Sequence, residues 1–225
     1  MTRTNVAVRV QHHPSRRDLL PTLLQSLAPL PVVVSPHVSD PPSPWAGYQL
    51  ALRSGLDDPS KPTHVLVLQD DVEVCRNLPR AVERIATAKN DGPVGLFLSR
   101  LPPRAANDAL FAAKRKECYV RARTGEKFFP AVAVLWPVLI AESFLEWAQS
   151  GVRLPGYPNL IASDDAVIGE WIRRTQAVAW HTVPSLIEHP DRAASTIGRR
   201  AQWGKDKGRI AHIFIGTGDP LEYDW

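Results

Sequence analysis

Two pairs of adjacent carboxylates are the residues best suited to chemistry: Asp70-Asp71, which ends the apolar run Val65-Leu66-Val67-Leu68-Gln69, and Asp164-Asp165, which precedes Ala166-Val167-Ile168. A positioned carboxylate takes a proton from a hydroxyl or supplies oxygen ligands to a hard divalent cation. The first pair reads as acids delivered to the carboxyl end of a buried strand, the edge at which open α/β sheets bind ligands. Side chains alternate along a strand, so Asp70 and Asp71 need not both face one ligand, whereas Gln69, Asp71 and Glu73 share a face if the extension continues. Asp71 is therefore the first choice for a working carboxylate. The second pair opens an amphipathic helix, where Ser163 or Asp164 as a cap accounts for one acid but not for two.

The elements that must position these acids alternate along the chain. Residues 5–11 alternate and are β-branched, predicting a strand that ends in the polar loop Gln11-His12-His13-Pro14-Ser15, whose histidines read as loop residues. Leucines at helical spacing predict a helix over 16–28, with Pro21 tolerable only in a first turn, and 31–35 form a second strand. Ser43-Pro44 reads as the N-cap and first turn of another helix. Further strands are expected at 94–98, 118–122, 131–136 and 177–183, and helices at 78–89 and from Pro137 to a stop at Gly151; the stretch 102–123 carries a weaker pattern. A loop at 152–163 with Pro155, Gly156, Tyr157 and Pro158 is a candidate substrate lid. The alternation predicts an α/β fold, with Trp45, Trp136, Trp171 and Trp180 in its core.

Bulk composition bounds the function. The 225 residues suffice for one α/β domain with a real core, and 44% hydrophobic with 22% charged residues is ordinary for a globular protein. Cys75 and Cys118 are isolated, which argues against a zinc cluster or disulfide framework. The absence of a signal-peptide pattern or a bilayer-length apolar run predicts a cytoplasmic protein with no membrane partner. A net charge of +4 suits a nucleotide or a polyanion, and the excess gathers in 192–209, where Arg192, Arg199, Arg200, Lys205, Lys207 and Arg209 meet only Asp206 around Trp203.

Three separated signals, Gln69-Asp70-Asp71, the helix-opening Asp164-Asp165, and Pro184-Ser185-Leu186-Ile187-Glu188-His189 followed by Ala194-Ser195-Thr196-Ile197-Gly198, together resemble small nucleotide-sugar glycosyltransferases of the GT-A fold. The resemblance spans most of residues 5–198 and implies a single GT-A-like domain (1–198), a Rossmann-like mixed sheet flanked by helices, with a basic segment (199–225) packing on or closing over the active site. It implies Mn2+ or Mg2+ held by Asp71 and His189, with Gln69 replacing the acid that often begins the first motif. Asp70 is implied as a ribose or metal contact, Asp165 as the base that activates an acceptor hydroxyl, and Asp164 as a group orienting the sugar. Gln11 and Asp40 fall where this fold holds the nucleoside, and Arg199, Lys205 and Lys207 where they would close over a diphosphate.

The implied reaction is inverting transfer from a nucleotide sugar, a UDP-sugar first, to a hydroxyl. The leading acceptor is a hydroxymethylated pyrimidine in DNA, as in bacteriophage DNA modification, followed by a cell-surface or capsule saccharide. A metal-dependent phosphohydrolase and a non-catalytic nucleotide-binding module are the competing classes, since carboxylates at strand ends also hold magnesium for phosphoryl chemistry.

Overall fold

Val6–His12 (β1) places Val6, Val8 and Val10 on one side of a sheet and Ala7, Arg9 and Gln11 on the other, and both sides are covered. The structure is a computed structural model describing residues 4–39, 43–99, 103–125, 129–150, 163–190 and 210–225. Val32–Pro36 (β2) and His64–Gln69 (β3) flank β1, both parallel to it, in the register Val8↔Val32 and Val8↔Leu66. The chain reaches β2 through a 3-10 turn, Pro14–Leu19, and helix α1, Leu20–Leu27; it returns to β3 through α2, Pro44–Leu56, which Ser43 caps by accepting from the Ala46 N–H. Strand order therefore reverses at β1, which makes the carboxyl ends of β1 and β3 a switch point, the place where α/β sheets form their ligand crevice.

The remaining elements are β4 (Glu73–Val74), α3 (Leu78–Ala88), β5 (Val94–Gly95), α4 (Pro103–Lys114), β6 (Tyr119–Arg121), β7 (Ala133–Pro137), α5 (Val138–Gln149), α6 (Asp164–Thr175), β8 (Trp180–Thr182) and β9 (Ile187–Glu188). Among the described residues the main sheet runs β2-β1-β3-β7-β5-β8-β6, with β7 antiparallel to both neighbours and β6 antiparallel to β8. The fold is thus a single α/β domain built on a mixed sheet, as expected. The alternation up to residue 98 does not continue as parallel neighbours, however, because β7 inserts between β3 and β5.

Other expectations are corrected locally. The helix expected over 16–28 is a 3-10 turn followed by α1, with Arg16 at the non-helical φ −112°, ψ 18°. Inside one continuous helix Pro21 would clash with the carbonyl four residues back, whereas beginning α1 at Leu20 puts it in the first turn. The Leu96 N–H still donates to Ala133 in the register of β7, but past Gly95 the backbone turns to the segment after β8: the Leu96 carbonyl accepts from the Leu186 N–H, and the Leu98 N–H donates to the Ser185 hydroxyl. The strand expected at 177–183 is three residues long, and α4 occupies the stretch whose pattern was weak. Gly151 and most of the expected lid at 152–163 lie outside the described residues.

Two apolar layers sandwich the sheet. Val6, Val8, Val10, Leu66 and Leu68 pack with α1 and α3, while Val65, Val67 and Trp136 pack with α2, α5 and α6. Trp136 is fully buried, stacks on Phe144 at 4.7 Å and donates to the Tyr48 hydroxyl at 2.7 Å, which satisfies the one polar atom of a core tryptophan. Trp171 is also buried, and Trp45 and Trp180 are half-buried. The C-terminal residues return to the sheet: Ala211 bridges Ser99, Phe214 bridges Ser185, and Trp225 sits edge-on to Tyr119 at 5.8 Å. Among the described residues no helix is long and apolar enough to cross a membrane.

Where α2 crosses β3 the backbones approach closely at Gly55, whose replacement by a residue with a Cβ would put that atom 2.3 Å from Val65 Cγ1. Helix propensity alone favours alanine there by about 1 kcal/mol. Overpacking outweighs it, so Gly55→Ala should lower stability by about 1–3 kcal/mol in urea denaturation.

Candidate functional site

The run of buried apolar side chains in β3 ends at Gln69, and the chain turns immediately, so Asp70 and Asp71 leave the strand's alternation. Both are buried, at 2% and 4% exposure, and both reach the same cation. Arg16 Nη1 lies 2.9 Å from Asp70 Oδ1 and 2.8 Å from Asp71 Oδ2. The strand does not continue past Gln69, so the alternation that would set neighbouring side chains apart does not apply to these two acids. Two buried carboxylates side by side are tolerable only with a compensating charge and hydrogen bonds, which a guanidinium supplies.

Asp70 is held further. Its Oδ2 accepts from the ring Nδ1 of His12 and from the backbone N–H of His13, each at 2.8 Å. His12, read from sequence as a loop residue, is instead the last residue of β1, 7% exposed, because β1 and β3 are in register and end together beside Asp70. His13 does lie in the turn that follows, where its ring accepts from the Ser15 N–H.

Asp71 meets the residue expected to share its ligand. His189 Nε2 is 3.3 Å from Asp71 Oδ2, and His189 is 3% exposed. The small antiparallel pairing of β4 and β9, Glu73↔Glu188, brings these distant segments together, since positions before Glu73 lie across from those after Glu188. Glu188 fixes the turn, its Oε1 accepting from the N–H groups of His189 and Ala211 at 2.8 Å each.

Asp71 and His189 fit a divalent cation on two counts. A carboxylate oxygen and the imidazole Nε2 converge, and such a donor pair suits manganese or magnesium. No set of three or more such side chains converges among the described residues, so the remaining ligands would be water and substrate oxygens, which hard cations retain readily.

The second acid pair lies on the other face of the sheet. Ser163 caps α6 by accepting from the Ala166 N–H at 3.3 Å, so neither acid is needed as the cap. Asp165 Oδ1 accepts from the Ala131 N–H at 2.6 Å, and its carbonyl from the Phe129 N–H at 3.1 Å, clipping the segment before β7 onto α6. Asp164 is 3% exposed, its Oδ1 accepting from the Asp165 N–H. Burial first, then the Asp165 charge, pushes its carboxyl up to about 7, with the Gln69 amide among the groups that oppose the rise. Through Gln69 the second pair borders the end of β3, so both pairs flank one crevice.

Gln11 lies in this crevice in register with Gln69, its Nε2 donating to the Pro44 carbonyl at 3.0 Å and Gly47 leaving room for it. Asp40, Arg199, Lys205, Lys207 and Trp203 lie outside the described residues. Sequence reasoning missed His12, Arg16 and Glu188. Arg16 resembles any basic residue entering a helix, and only a Glu-His dipeptide marked Glu188.

A carboxyl raised in the native state keeps its proton between about pH 4 and 7 while the unfolded chain has released it, so its contribution to stability falls as pH rises through that window. Asp164→Asn removes the penalty. In urea denaturation the variant should match the wild type near pH 4 and exceed it by about 1 kcal/mol or more at pH 8; a difference independent of pH would place this carboxyl in the ordinary range.

No protein-family model matches the chain, and no curated protein matches it. Among solved structures the chain is similar to a mutant of Drosophila β-1,4-galactosyltransferase 7 in a complex with manganese, UDP-Gal and xylobiose, at 11% identity and a TM-score of 0.47, over 88% of this chain and 77% of that one.

Proposed function

We propose that this chain is a GT-A-type glycosyltransferase that moves a sugar from a nucleotide sugar, a UDP-sugar first, to a hydroxyl acceptor with inversion. The observation that carries the reading is the convergence of Asp71 and His189, 3.3 Å apart, at the carboxyl-end crevice of β1 and β3, with a second acid pair bordering the same crevice through Gln69. Asp71 and His189 would hold Mn2+ or Mg2+, which when bound stabilises charge on the departing nucleoside diphosphate. Asp165 takes the proton of the acceptor hydroxyl as its oxygen bonds to the anomeric carbon, and the bond from that carbon to the phosphate oxygen breaks with its electrons on the diphosphate. Asp164, the more deeply buried of the two, holds the sugar's hydroxyls. Attack opposite the leaving group inverts the anomeric centre.

The proposed acceptor is a hydroxymethylated pyrimidine in DNA, supported by the net charge of +4 and the basic run at 192–209. Contacts to a DNA backbone make affinity fall steeply with salt. DNA binding that is flat from low to high salt would shift the acceptor to a saccharide.

The donor is tested by thermal shift of the wild type and Asp71→Ala with UDP, GDP, CMP and dTDP, with and without manganese. UDP with manganese at a hundred times its Kd should add about 2.7 kcal/mol to the wild type and little to Asp71→Ala. Asp165→Asn should lose transfer by about 10²–10⁴-fold while keeping donor binding. No shift with any nucleotide would overturn the reading.

A further inference from the structure

From the groove between α3 and residues 219–225 we infer a second binding site, one that takes a neutral saccharide chain. It is independent of the nucleotide-sugar reading, since the groove shares no residue with the crevice of Asp71 and His189. Helix α3 buries Leu78, Ala81, Val82 and Ile85, and the spacing of Arg80, Glu83, Arg84 and Thr87 then places all four on its opposite, exposed face. Residues 219–225 run beside that face. The Asp219 carboxylate accepts from the Asn77 amide at 3.2 Å, and the Leu221 carbonyl accepts from Arg84 Nη1 at 2.9 Å. Between helix and segment lies an open groove of about 460 Å³, with Leu221 and Trp225 on the side away from the helix. That volume falls within the range of about 300–1,000 Å³ typical of small-molecule sites.

Trp225 supplies a rigid apolar wall. Tyr223 stacks on it at 5.5 Å, Tyr119 meets it at 5.8 Å and 73°, and its Nε1–H donates to the Pro220 carbonyl at 2.6 Å. The ring is thus fixed and its one polar atom is used, so what it offers the groove is apolar surface. The helix side is the reverse. Among the described residues neither the Arg80 guanidinium nor the Glu83 carboxylate has a hydrogen bond or ion pair, so the first presents donors and the second acceptors.

A ligand that suits both walls has an apolar face and polar groups that donate as well as accept. A pyranose ring has both, its C–H face stacking on an indole while its hydroxyls bond to a guanidinium and a carboxylate. A nucleic-acid strand offers bases for the indole, but charge selects against it. Arg80 and Arg84 share the groove with Glu83, and Glu222 and Asp224 are exposed on the segment that forms its other wall. The positive field that a phosphate backbone requires is thereby cancelled, and a neutral chain loses nothing by it.

The test titrates the full chain, without nucleotide, with cellohexaose, maltohexaose, xylohexaose and a short single-stranded DNA, reading tryptophan fluorescence and calorimetric heat. One of the hexaoses should bind with a Kd of about 1 mM or tighter. Trp225→Ala should weaken it by about tenfold or more, and Arg80→Ala and Glu83→Ala by about three- to tenfold each. The last two replace exposed side chains without partners, so they should unfold in urea as the wild type does, and they carry the result if Trp225→Ala loosens its segment. Wild type that binds none of the hexaoses overturns the site. So does hexaose binding that Arg80→Ala and Glu83→Ala leave untouched, because the sugar then sits elsewhere. DNA that binds more tightly than every hexaose and is weakened by Arg80→Ala makes the occupant a polyanion and overturns the neutral ligand.

Discussion

The constraint on which the rest of this structure turns is the burial of two adjacent carboxylates at the end of its central strand. Asp70 and Asp71 are almost wholly removed from water, and desolvated charges persist only where the protein returns hydrogen bonds and opposite charge. Arg16 provides both, one guanidinium nitrogen lying within 3 Å of each acid. Arg16 therefore has to leave β1 and turn back over the end of β3 within a few residues. The 3-10 turn with its non-helical Arg16, and the start of α1 beyond it, are how the chain does so.

Topology supplies the remaining partners. With β1 between β2 and β3, the strand end carrying His12 lies beside the turn carrying Asp70, and the parallel register aligns them. The two-residue pairing of β4 and β9 then brings His189 to Asp71 across more than a hundred residues of sequence. Glu188 and Ala211 join that corner, so the C-terminal segment is tied to the same edge of the crevice. Each of the two acids acquires its own histidine and both share one arginine.

The two faces of the sheet divide the chemistry. Residues that continue the Val6-Val8-Val10 face end in His12 and Asp70, on the side of α1 and α3; residues that continue the Val65-Val67 face end in Gln69, on the side of α2 and α6, where Asp164 and Asp165 begin their helix. The two acid pairs thus reach the end of β3 from opposite layers of the molecule. The low-dielectric setting that raises Asp164 is the same close packing, with Tyr48 and Trp136 filling the layer beneath.

Local pattern in the sequence determined the presence of β1, β3, α2, α5 and α6, because alternation, helical spacing and capping residues such as Ser43 and Ser163 act over a few neighbouring residues. It also singled out both acid pairs, since acids that interrupt an apolar run are conspicuous without any knowledge of the fold, whereas His189 was marked only by the family resemblance. It did not determine the antiparallel insertion of β7, the short β5 and β8, or the convergence of Arg16 and His12 on Asp70. Those depend on which segments become neighbours once the chain closes, and a histidine after a strand looks the same in one dimension whether it faces water or a buried carboxylate. The tertiary structure decided that difference, because the desolvation that makes an unpaired charge costly exists only after folding has excluded the water.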